Sequence, residues 1–423
     1  IWKGLVGSEM CIRDRNPSDS KIWSKITNKI IQIFESYSYN EIRLPTIEST
    51  DLFQRTVGEL SDIVNKEMFT FESKSGKSLS LRPEGTASCL RSAIDFGLTD
   101  QGPIRLFYHG PMFRYERPQK GRSREFYQLS VEAYGFDSIN IEFEMIEMSY
   151  KIFSSLDINN FFLEINSLGS IETQKKFSKA LKDYLEPIKD KLDEDSRNRL
   201  GSNILRILDS KNTATQEVLK KAPKIADFYD QESIDKFESL QSKLNEMNIP
   251  FSINQKLVRG LDYYNDVVYE WKSEALGSQN TFCAGGRYDS LSKSLGGRDI
   301  PATGFSIGLD RLVFSLLDDH KFESKKSVIV IILENNLFKD GSKISEKIRS
   351  EFDSIVVRYD GQKSNLKTQL KKAIREKYDF AIILGREEVK KNVYAFKNLN
   401  LADNQITLSE EEIIQTIRNF ING

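Results

Sequence analysis

The amino-acid sequence predicts an α+β protein with a helical insertion and a small C-terminal α/β domain. Three observations support this class. Strand-like segments dominate residues 41–134. Residues 170–250 are polar and helical in pattern, and strands resume after them. From residue 327 onwards, buried strands alternate with helical segments, which is typical of a parallel sheet.

The composition excludes several classes of protein. The chain has 423 residues, a net charge of −1, 39% hydrophobic and 29% charged residues, so it can bury a core. A disordered chain, a collagen-like fibre and a basic tail protein are therefore excluded. The longest purely aliphatic run, Val328–Leu333, is far shorter than the ~20 residues that a membrane span needs. We expect no membrane segment.

Cysteine and histidine are scarce. Cys11, Cys89 and Cys283 lie far apart without CxxC spacing, so neither a disulfide framework nor a structural zinc site is expected. This usage favours a reducing, cytoplasmic compartment. The two histidines, His109 and His320, exclude a multi-histidine metal site, and we interpret both as ordinary residues. No metal site formed by protein ligands is predicted.

Residues 1–15 are predicted to lie outside the fold. Their short apolar stretch is interrupted by Glu9, Arg13 and Asp14, so they lack the order of a signal peptide. They also show neither helical nor strand periodicity. We interpret them as a foreign or misassembled leader, with a genuine N-terminal arm as the alternative. The folded chain is expected to begin near Asn16.

The elements of the first half follow from periodicity and turn residues. Ser18 or Ser20 is expected to cap a helix with an apolar period of 3.6 residues. The strands predicted after it are Glu41–Pro45, Glu67–Glu72, Ser78–Arg82, Ile104–His109, Met112–Arg117 and Phe126–Tyr134. The SGKS sequence at residues 75–78 lacks the first glycine of a phosphate loop, because Phe71 occupies that position. We therefore assign it to a hairpin turn.

The second half is predicted in the same way. A helix near Ile141–Phe153 precedes the polar helical segment, strands resume at Gln255–Trp271, and another helix is expected from Ser306 to Leu317. The buried parallel strands of the C-terminal domain are expected at Val328–Leu333, Ser354–Arg358 and Phe380–Leu384. Helical segments near residues 342–352 and 364–377 separate them.

The segment Arg105–Arg124 concentrates positive charge, with six basic residues against a single acid, Glu116. Because side chains alternate along a strand, Phe126, Gln128 and Glu132 share one face of the strand at 126–134. Arginines, carboxylates and an aromatic ring on one sheet face suit a nucleotide, since guanidinium groups bind phosphate and the ring stacks on a base. A solvated sheet face explains the same pattern, and the residues alone leave both interpretations open.

Three further segments carry polar residues at element boundaries. In LRPEGTA (Leu81–Ala87), Pro83 ends a strand and Glu84 lies at the break. In LVRGLDYYN (Leu257–Asn265), Arg259 stands between apolar neighbours, which implies an anionic partner. In GFSIGLDRL (Gly304–Leu312), Arg311 falls in the first turn of a helix. Each segment by itself is weak evidence for a function, but the order in which the segments occur along the chain is informative.

In that order the chain resembles the class II aminoacyl-tRNA synthetases, and among them the histidyl-tRNA synthetase family. YNEIRLPTIE (Tyr39–Glu48), FRYERPQKGRSREFYQ (Phe113–Gln128) and GFSIGLDRL are similar to motifs 1, 2 and 3 of the class. LVRGLDYY (Leu257–Tyr264) and CAGGRYD (Cys283–Asp289) resemble the segments that distinguish the histidine enzymes. The resemblance extends from about Asn16 to the C-terminus.

The resemblance implies a role for each matching residue. Arg259 and Arg114 would be catalytic, acting on the α-phosphate of ATP. The residues implied in histidine binding are Glu84, Thr86, Gln128, Glu132, Tyr263 and Tyr264. Those implied in ATP binding are Arg114, Glu116, Arg122, Phe126 and Arg311. Arg117 and Gln119 would contact the acceptor end of tRNA.

The resemblance also implies the domain organisation and the partners. A class II catalytic domain, with an antiparallel sheet flanked by helices, would comprise residues 16–169 and 251–320. A helical insertion would occupy residues 170–250, and an anticodon-binding α/β domain residues 327–423. The expected substrates are L-histidine, ATP with Mg²⁺, and tRNA(His). A homodimer is expected, without membrane or DNA partners.

Other functions were weighed against this one. A synthetase-like regulatory subunit of ATP phosphoribosyltransferase would lack the C-terminal domain and the catalytic arginines, whereas this chain has both. A plain RNA-binding module would explain the basic loop but not the acids Glu84 and Glu132 beside it. A nicotinamide oxidoreductase is excluded, because no strand leads into a GxGxxG turn.

Overall fold

The chain divides into two compact units, Ile1–His320 and Lys321–Gly423. The computed structural model describes residues 14–58, 61, 63–116, 122–158, 160–274, 276, 280–317, 326–360, 365–401 and 405–422. Most of the predicted leader, and the motif 2 loop residues Arg117 and Gln119, lie outside the described residues. The two units are described separately below.

An eight-stranded sheet forms the centre of the first unit, in the order β1-β5-β6-β11-β10-β9-β7-β8. All its neighbours are antiparallel except β1 with β5 and β7 with β8. Its strands are β1 (Asn40–Glu41), β5 (Ile104–Phe113), β6 (Glu125–Tyr134), β7 (Phe161–Ser167), β8 (Phe251–Ile253), β9 (Asn265–Ser273), β10 (Thr281–Arg287) and β11 (Ala302–Gly308). This mixed architecture confirms the predicted α+β class.

A small second sheet has the order β2-β4-β3. Its strands are β2 (Ile47–Ser49), β3 (Thr70–Glu72) and β4 (Ser78–Leu81). The backbone N–H of Ser73 donates to the carbonyl of Lys77 at 2.9 Å and closes the turn between β3 and β4. The SGKS sequence thus lies in a hairpin, as predicted. Residues 63–67, expected to be loop and the start of a strand, instead form a π-helical turn.

Helices of the first unit pack around these sheets. They are α1 (Pro17–Ser36), α2 (Thr50–Val57), α3 (Thr86–Asp95), α4 (Asn140–Ser155), α5 (Ile171–Leu185), α6 (Glu194–Arg199), α7 (Thr213–Leu219), α8 (Gln231–Glu246), α9 (Ser290–Ser294) and α10 (Leu309–Leu317). Four of them, α5 to α8, fall within the segment predicted to be a helical insertion. Their apolar side chains Phe177 and Leu181 share a buried cluster with Cys89 and Leu90 of α3.

The first helix begins earlier than predicted. Its N-cap is Asn16, whose side chain accepts from the N–H groups of Ser18 and Asp19, so the expected serine cap is wrong. Asn16 competes successfully because Pro17 at the first helical position has no N–H to satisfy. Arg15, the last residue of the predicted leader, pairs with Asp310 at 2.7 Å.

Strands β5 and β6 form the antiparallel pair that precedes and follows the motif 2 loop, with Phe113 opposite Glu125. The predicted strands 104–109 and 112–117 are one strand that ends at Phe113, so Arg114 and Glu116 lie beyond it. Pairing with β6 continues through Gly110 and Pro111, which explains why the predicted break does not occur. The predicted strand at 41–45 is likewise shortened to β1.

Two predictions for the second half of the first unit were wrong in their boundaries. Residues 255–264 form a loop before β9 rather than the beginning of a strand. The helix expected from Ser306 starts only at Leu309. Ser306 instead belongs to β11, where it pairs with Ser130 of β6 and Ala284 of β10. Sheet pairing on both sides therefore outweighs the helical pattern at this position.

The second unit is an α/β domain with a five-stranded sheet in the order β13-β12-β14-β15-β16. The three parallel strands are at the predicted places, and the antiparallel strands β15 and β16 were not predicted. The strands are β12 (Ser327–Ile332), β13 (Val356–Asp360), β14 (Phe380–Leu384), β15 (Val393–Asn398) and β16 (Ile406–Ser409). The helices are α11 (Phe338–Glu351), α12 (Leu366–Arg375), α13 (Arg386–Lys390) and α14 (Glu410–Asn422).

Across the part of the chain that the structure describes, no helix combines the length and the apolar character needed to cross a membrane.

Candidate active site

A cleft of about 920 Å³, partly open to solvent, lies over β6, β10 and β11 of the first unit. Eleven of the predicted site residues line it, namely Glu84, Thr86, Arg114, Glu116, Arg122, Phe126, Gln128, Arg259, Tyr263, Tyr264 and Arg311. Residues separated by up to 227 positions in the sequence, from Glu84 to Arg311, are thus brought together.

Glu84 lies at the end of the cleft formed by the start of α3. Its carboxylate accepts from the backbone N–H groups of Thr86 at 2.7 Å and Ala87 at 3.1 Å. Burial raises the pKa of Glu84, and these two N–H groups oppose that rise by stabilising the anion. The residue both satisfies the helix N-terminus and presents negative charge in the cleft.

Glu132 is the one described member of the predicted set that does not line the cleft. It is 1% exposed and lies just behind the wall, where Thr86 donates to Oε1 at 2.8 Å and Tyr108 at 2.9 Å. The hydroxyl of Tyr288 donates to the other oxygen. Burial raises the pKa of Glu132 to about 8 against the opposing effect of these hydroxyls. One lone-pair position of the carboxylate is left for a further donor.

Three tyrosines form an aromatic wall beside Glu132. The ring of Tyr263 lies 4.8 Å from that of Tyr264 and 5.4 Å from that of Tyr288. Burial raises the pKa of each of the three phenols, so all remain neutral hydrogen-bonding groups near pH 7. An apolar wall with polar tips suits a flat ring that carries hydrogen-bonding atoms.

The opposite part of the cleft is basic. Arg114 donates to the carbonyl of Pro83 at 2.9 Å, and its guanidinium lies 5.2 Å from the ring centre of Phe126. Glu116 pairs with Arg122 at 2.8 Å and lies 3.9 Å from Arg114. This carboxylate holds two guanidinium groups near the aromatic ring, an arrangement that suits an aromatic ligand bearing phosphate.

Two more arginines complete the basic region. Arg311 donates to the carbonyl of Thr281 at 2.7 Å. Burial lowers its pKa, and nearby Arg122 adds to that effect, as expected where cations gather without enough anions. Arg259 pairs with Glu270. Burial alone lowers the pKa of Arg259, but the Glu270 carboxylate raises it above the usual value.

Sequence reasoning missed three residues of this site. Tyr108 and Tyr288 hold Glu132, and Glu270 holds Arg259. Tyr288 lies within the CAGGRYD segment, so that segment was the available signal. No local pattern indicates Tyr108 or Glu270, because each meets its partner only through the folded sheet.

The described residues contain no group of three or more His, Cys, Asp and Glu side chains that could hold a metal ion. The cleft instead combines an acidic end with an aromatic wall and a basic end with four guanidinium groups. Such a site can hold a zwitterion beside a polyphosphate. It can also neutralise charge at a phosphorus atom without moving protons.

Comparisons with known proteins agree with this chemistry. The family model described as histidyl-tRNA synthetase matches residues 11–312, and the one described as anticodon binding domain matches residues 327–420. The chain is 46% identical to a histidine–tRNA ligase of Francisella philomiragia, over 90% of this chain and 91% of that protein. It is 44% identical to a histidine–tRNA ligase of Buchnera aphidicola, over 98% and 97% of the two chains.

A solved structure shares the fold as well. The apo histidyl-tRNA synthetase of S. aureus superposes with a TM-score of 0.79 at 30% identity. The superposition covers 97% of this chain and 99% of that one. The similarity therefore includes both units of the chain and every segment that contributes to the cleft.

Proposed function

The chain belongs to the histidyl-tRNA synthetase family, and from that membership we propose how its residues divide the work of the reaction. It activates L-histidine with ATP to histidyl-adenylate and transfers the histidyl group to tRNA(His). The arrangement of acidic, aromatic and basic groups in one cleft carries the residue assignments that follow. The regulatory-subunit alternative is not favoured, because the relatives are histidine–tRNA ligases and the anticodon-binding domain is present.

Histidine would bind at the acidic, aromatic end. Glu84, Thr86 and Gln128 would hold its α-ammonium group, since all three line this end of the cleft. Glu132 and Tyr264 would meet the two imidazole nitrogens, with Tyr263 as part of the wall. The remaining acceptor position on Glu132 supports this assignment, because an imidazole N–H would fill it.

ATP would bind at the basic end. Phe126 would stack on adenine, and Glu116 would contact the adenine edge while it holds Arg122. Arg122 and Arg311 would engage the terminal phosphates, and Arg114 the α-phosphate. Mg²⁺ is general in the class, and with no protein cluster to hold it among the described residues, it would bind chiefly through the nucleotide phosphates.

Arg259 would be the catalytic arginine together with Arg114. A carboxylate oxygen of histidine attacks the α-phosphorus, the bond to the bridging oxygen of pyrophosphate breaks, and pyrophosphate leaves. Negative charge accumulates on the α-phosphoryl oxygens during this displacement, and a guanidinium at that place stabilises it. This role is supported by the position of Arg259 in the cleft lining, where its guanidinium lies 5.6 Å from the ring centre of Tyr264.

Transfer to tRNA would use the motif 2 loop, with Arg117 and Gln119 at the acceptor end, and the second unit at the anticodon. A homodimer in the cytoplasm, without membrane or DNA partners, is part of the same proposal. The buried free thiols of Cys89 and Cys283 support a reducing compartment. Sedimentation of the purified protein at twice its chain mass of 48.7 kDa would establish the dimer.

The first test is amino-acid-dependent exchange of pyrophosphate into ATP, measured with each standard amino acid. Exchange with histidine alone is expected. In the same assay Arg259→Ala should slow adenylation by about 100-fold or more, because a charge-stabilising group is removed from the transition state. Transfer from preformed histidyl-adenylate should change much less. An undiminished rate of adenylation by Arg259→Ala would overturn the catalytic assignment.

A further inference from the structure

We propose that Glu270 is a positioning residue that aims the guanidinium of Arg259 at the α-phosphate of ATP. Glu270 lies on β9, outside the segments that resemble the family's motifs. The inference rests on the proposed catalytic role of Arg259. It extends that role to a network of side chains on the neighbouring strands, none of which contacts the reacting atoms.

Arg259 needs such support because its backbone is irregular. It lies in the loop 255–264, where no helix or strand fixes the direction of the side chain. The Nη1 atom of Arg259 donates to Oε1 of Glu270, and the two side chains are 17% and 13% exposed. A charge-assisted hydrogen bond with so little solvent nearby is strong enough to select one orientation of a long side chain.

The contact leaves donors of Arg259 available for a ligand. Its Nε atom is buried and makes no hydrogen bond within the described part of the chain. Such a group is costly in the free protein. Glu270 engages Nη1 and thereby fixes the plane of the guanidinium, while the part of Arg259 that lines the cleft remains for the phosphate.

Thr281 couples this arrangement to the second arginine. Its hydroxyl donates to Oε2 of Glu270 at 2.9 Å, and its carbonyl accepts from Nη1 of Arg311 at 2.7 Å. Thr281 starts β10, whose pairing with β9 sets the distance between Thr281 and Glu270. Thr281 therefore contacts both Arg311 and Glu270, the residue that holds Arg259. This shared contact sets the spacing of the two arginines.

Lys272 holds Glu270 from the side away from Arg259. Its Nζ atom lies 3.3 Å from Oε2 of Glu270 and 2.6 Å from Glu164 on β7. Glu164 also accepts from the side-chain amide of Asn254 at 2.7 Å. Lys272 directly, and Glu164 through Lys272, thus keep the Glu270 carboxylate in one place.

The test compares Glu270→Gln with Glu144→Gln as a matched control, because Glu144 also holds an arginine, Arg105 at 3.0 Å, and does not line the cleft. Glu270→Gln removes the charge that orients Arg259 and keeps the size of the side chain. It should lower kcat for histidine-dependent adenylation about tenfold or more, with the KM values for histidine and ATP within about threefold of the wild type. Glu144→Gln should keep the wild-type kcat. Transfer from preformed adenylate should be unchanged in both.

A second pair keeps the inference testable if Glu270→Gln fails to fold. Thr281→Val removes the hydroxyl that bonds to Glu270, while Thr281→Ser preserves it. The valine variant should lower the adenylation kcat, and the serine variant should restore most of it. A purely structural role would change thermal stability in parallel with the rate, so the Tm of all four variants is measured alongside.

The outcomes separate this inference from the assignment of Arg259 itself. If Arg259→Ala slows adenylation and Glu270→Gln behaves like Glu144→Gln, the positioning role is overturned and the catalytic role stands. If Arg259→Ala leaves adenylation unchanged, both fail. If Glu270→Gln raises the KM for ATP while kcat is unchanged, Glu270 contributes to ATP binding and the positioning role is again overturned.

Discussion

Glu132 illustrates how single residues combine recognition with internal support. Three hydroxyl groups, from Thr86, Tyr108 and Tyr288, donate to its carboxylate. A buried carboxylate without such donors would be strongly unfavourable. Thr86 also lines the cleft, so one of the groups that stabilise Glu132 borders the proposed ligand site. The same hydrogen bonds therefore hold the acid and shape the end of the proposed histidine pocket.

At this scale we predict that Glu132→Gln impairs the use of histidine far more than the use of ATP. The substitution replaces one acceptor oxygen of Glu132 with an NH₂ group, which cannot accept an imidazole N–H, so kcat/KM for histidine should fall about tenfold or more. The KM for ATP should remain within about threefold, because none of the contacts of Glu132 lies at the basic end. Pyrophosphate exchange at varied histidine and varied ATP measures both.

Glu142 offers a matched control for that prediction. It is fully buried, pairs with Arg287 at 2.6 Å, and burial raises its pKa to about 7. Glu142 does not line the cleft. Glu142→Gln should therefore lower the Tm without a selective loss of histidine use. Equal losses of histidine and ATP use in Glu132→Gln would refute its assignment to the imidazole.

Among the elements, β11 places two functional regions at their required distance. It pairs with β6 on one side and β10 on the other, so it separates Glu132 on β6 from Thr281 on β10, which bonds to Glu270 and Arg311. Gly304 of β11 lies directly opposite Glu132. A Cβ at this position would collide with the Glu132 carboxylate and with the carbonyl of Val131. Glycine is required here by the close approach of β6.

We predict that Gly304→Ala destabilises the sheet and disturbs the histidine pocket together. Overpacking of this kind should lower the free energy of unfolding by about 1–3 kcal/mol and raise the KM for histidine. Gly201→Ala is the control, since a Cβ there has no neighbour within 4 Å. Urea denaturation and pyrophosphate exchange measure the two effects. A destabilised variant with normal histidine KM would show that Glu132 adapts to the added methyl group.

At the scale of the whole molecule, the two units have separate hydrophobic cores. The core of the first unit includes Tyr108, Tyr264 and Tyr288, which are also residues of the site. The core of the second unit joins β12 and β14 to α11 and α14 through residues such as Val330 and Ile413. Every described residue that we assign to histidine or ATP thus lies in the first unit.

We therefore predict that a chain ending at residue 320 keeps histidine-dependent pyrophosphate exchange and loses most charging of tRNA(His). Every described residue assigned to histidine or ATP lies in the retained part. The second unit, which matches the anticodon-binding family, would no longer contribute to tRNA affinity. Exchange and aminoacylation of the truncated and full chains are compared. Charging at the full rate would refute the role proposed for the second unit.

The sequence by itself was sufficient for the class of the fold, the order of its segments and most of the site. Periodicity predicted α1 and β6, and continuous apolar runs predicted the parallel strands β12 and β14, whose residues are almost all buried. Arg259 was noticeable because a charge between apolar residues requires a partner, and the roles of the site residues came from the resemblance to the family's motifs. Eleven predicted residues indeed line one cleft.

Only the tertiary structure decided which partners these residues meet. The position of Glu132 behind the cleft wall, its bonds to Tyr108 and Tyr288, and the pair of Arg259 with Glu270 all depend on strand register. These contacts join side chains from segments that are separate in the sequence, so no local pattern identifies the partners. The continuous β5 and the late start of α10 have the same cause, since neighbouring strands outweigh local propensity.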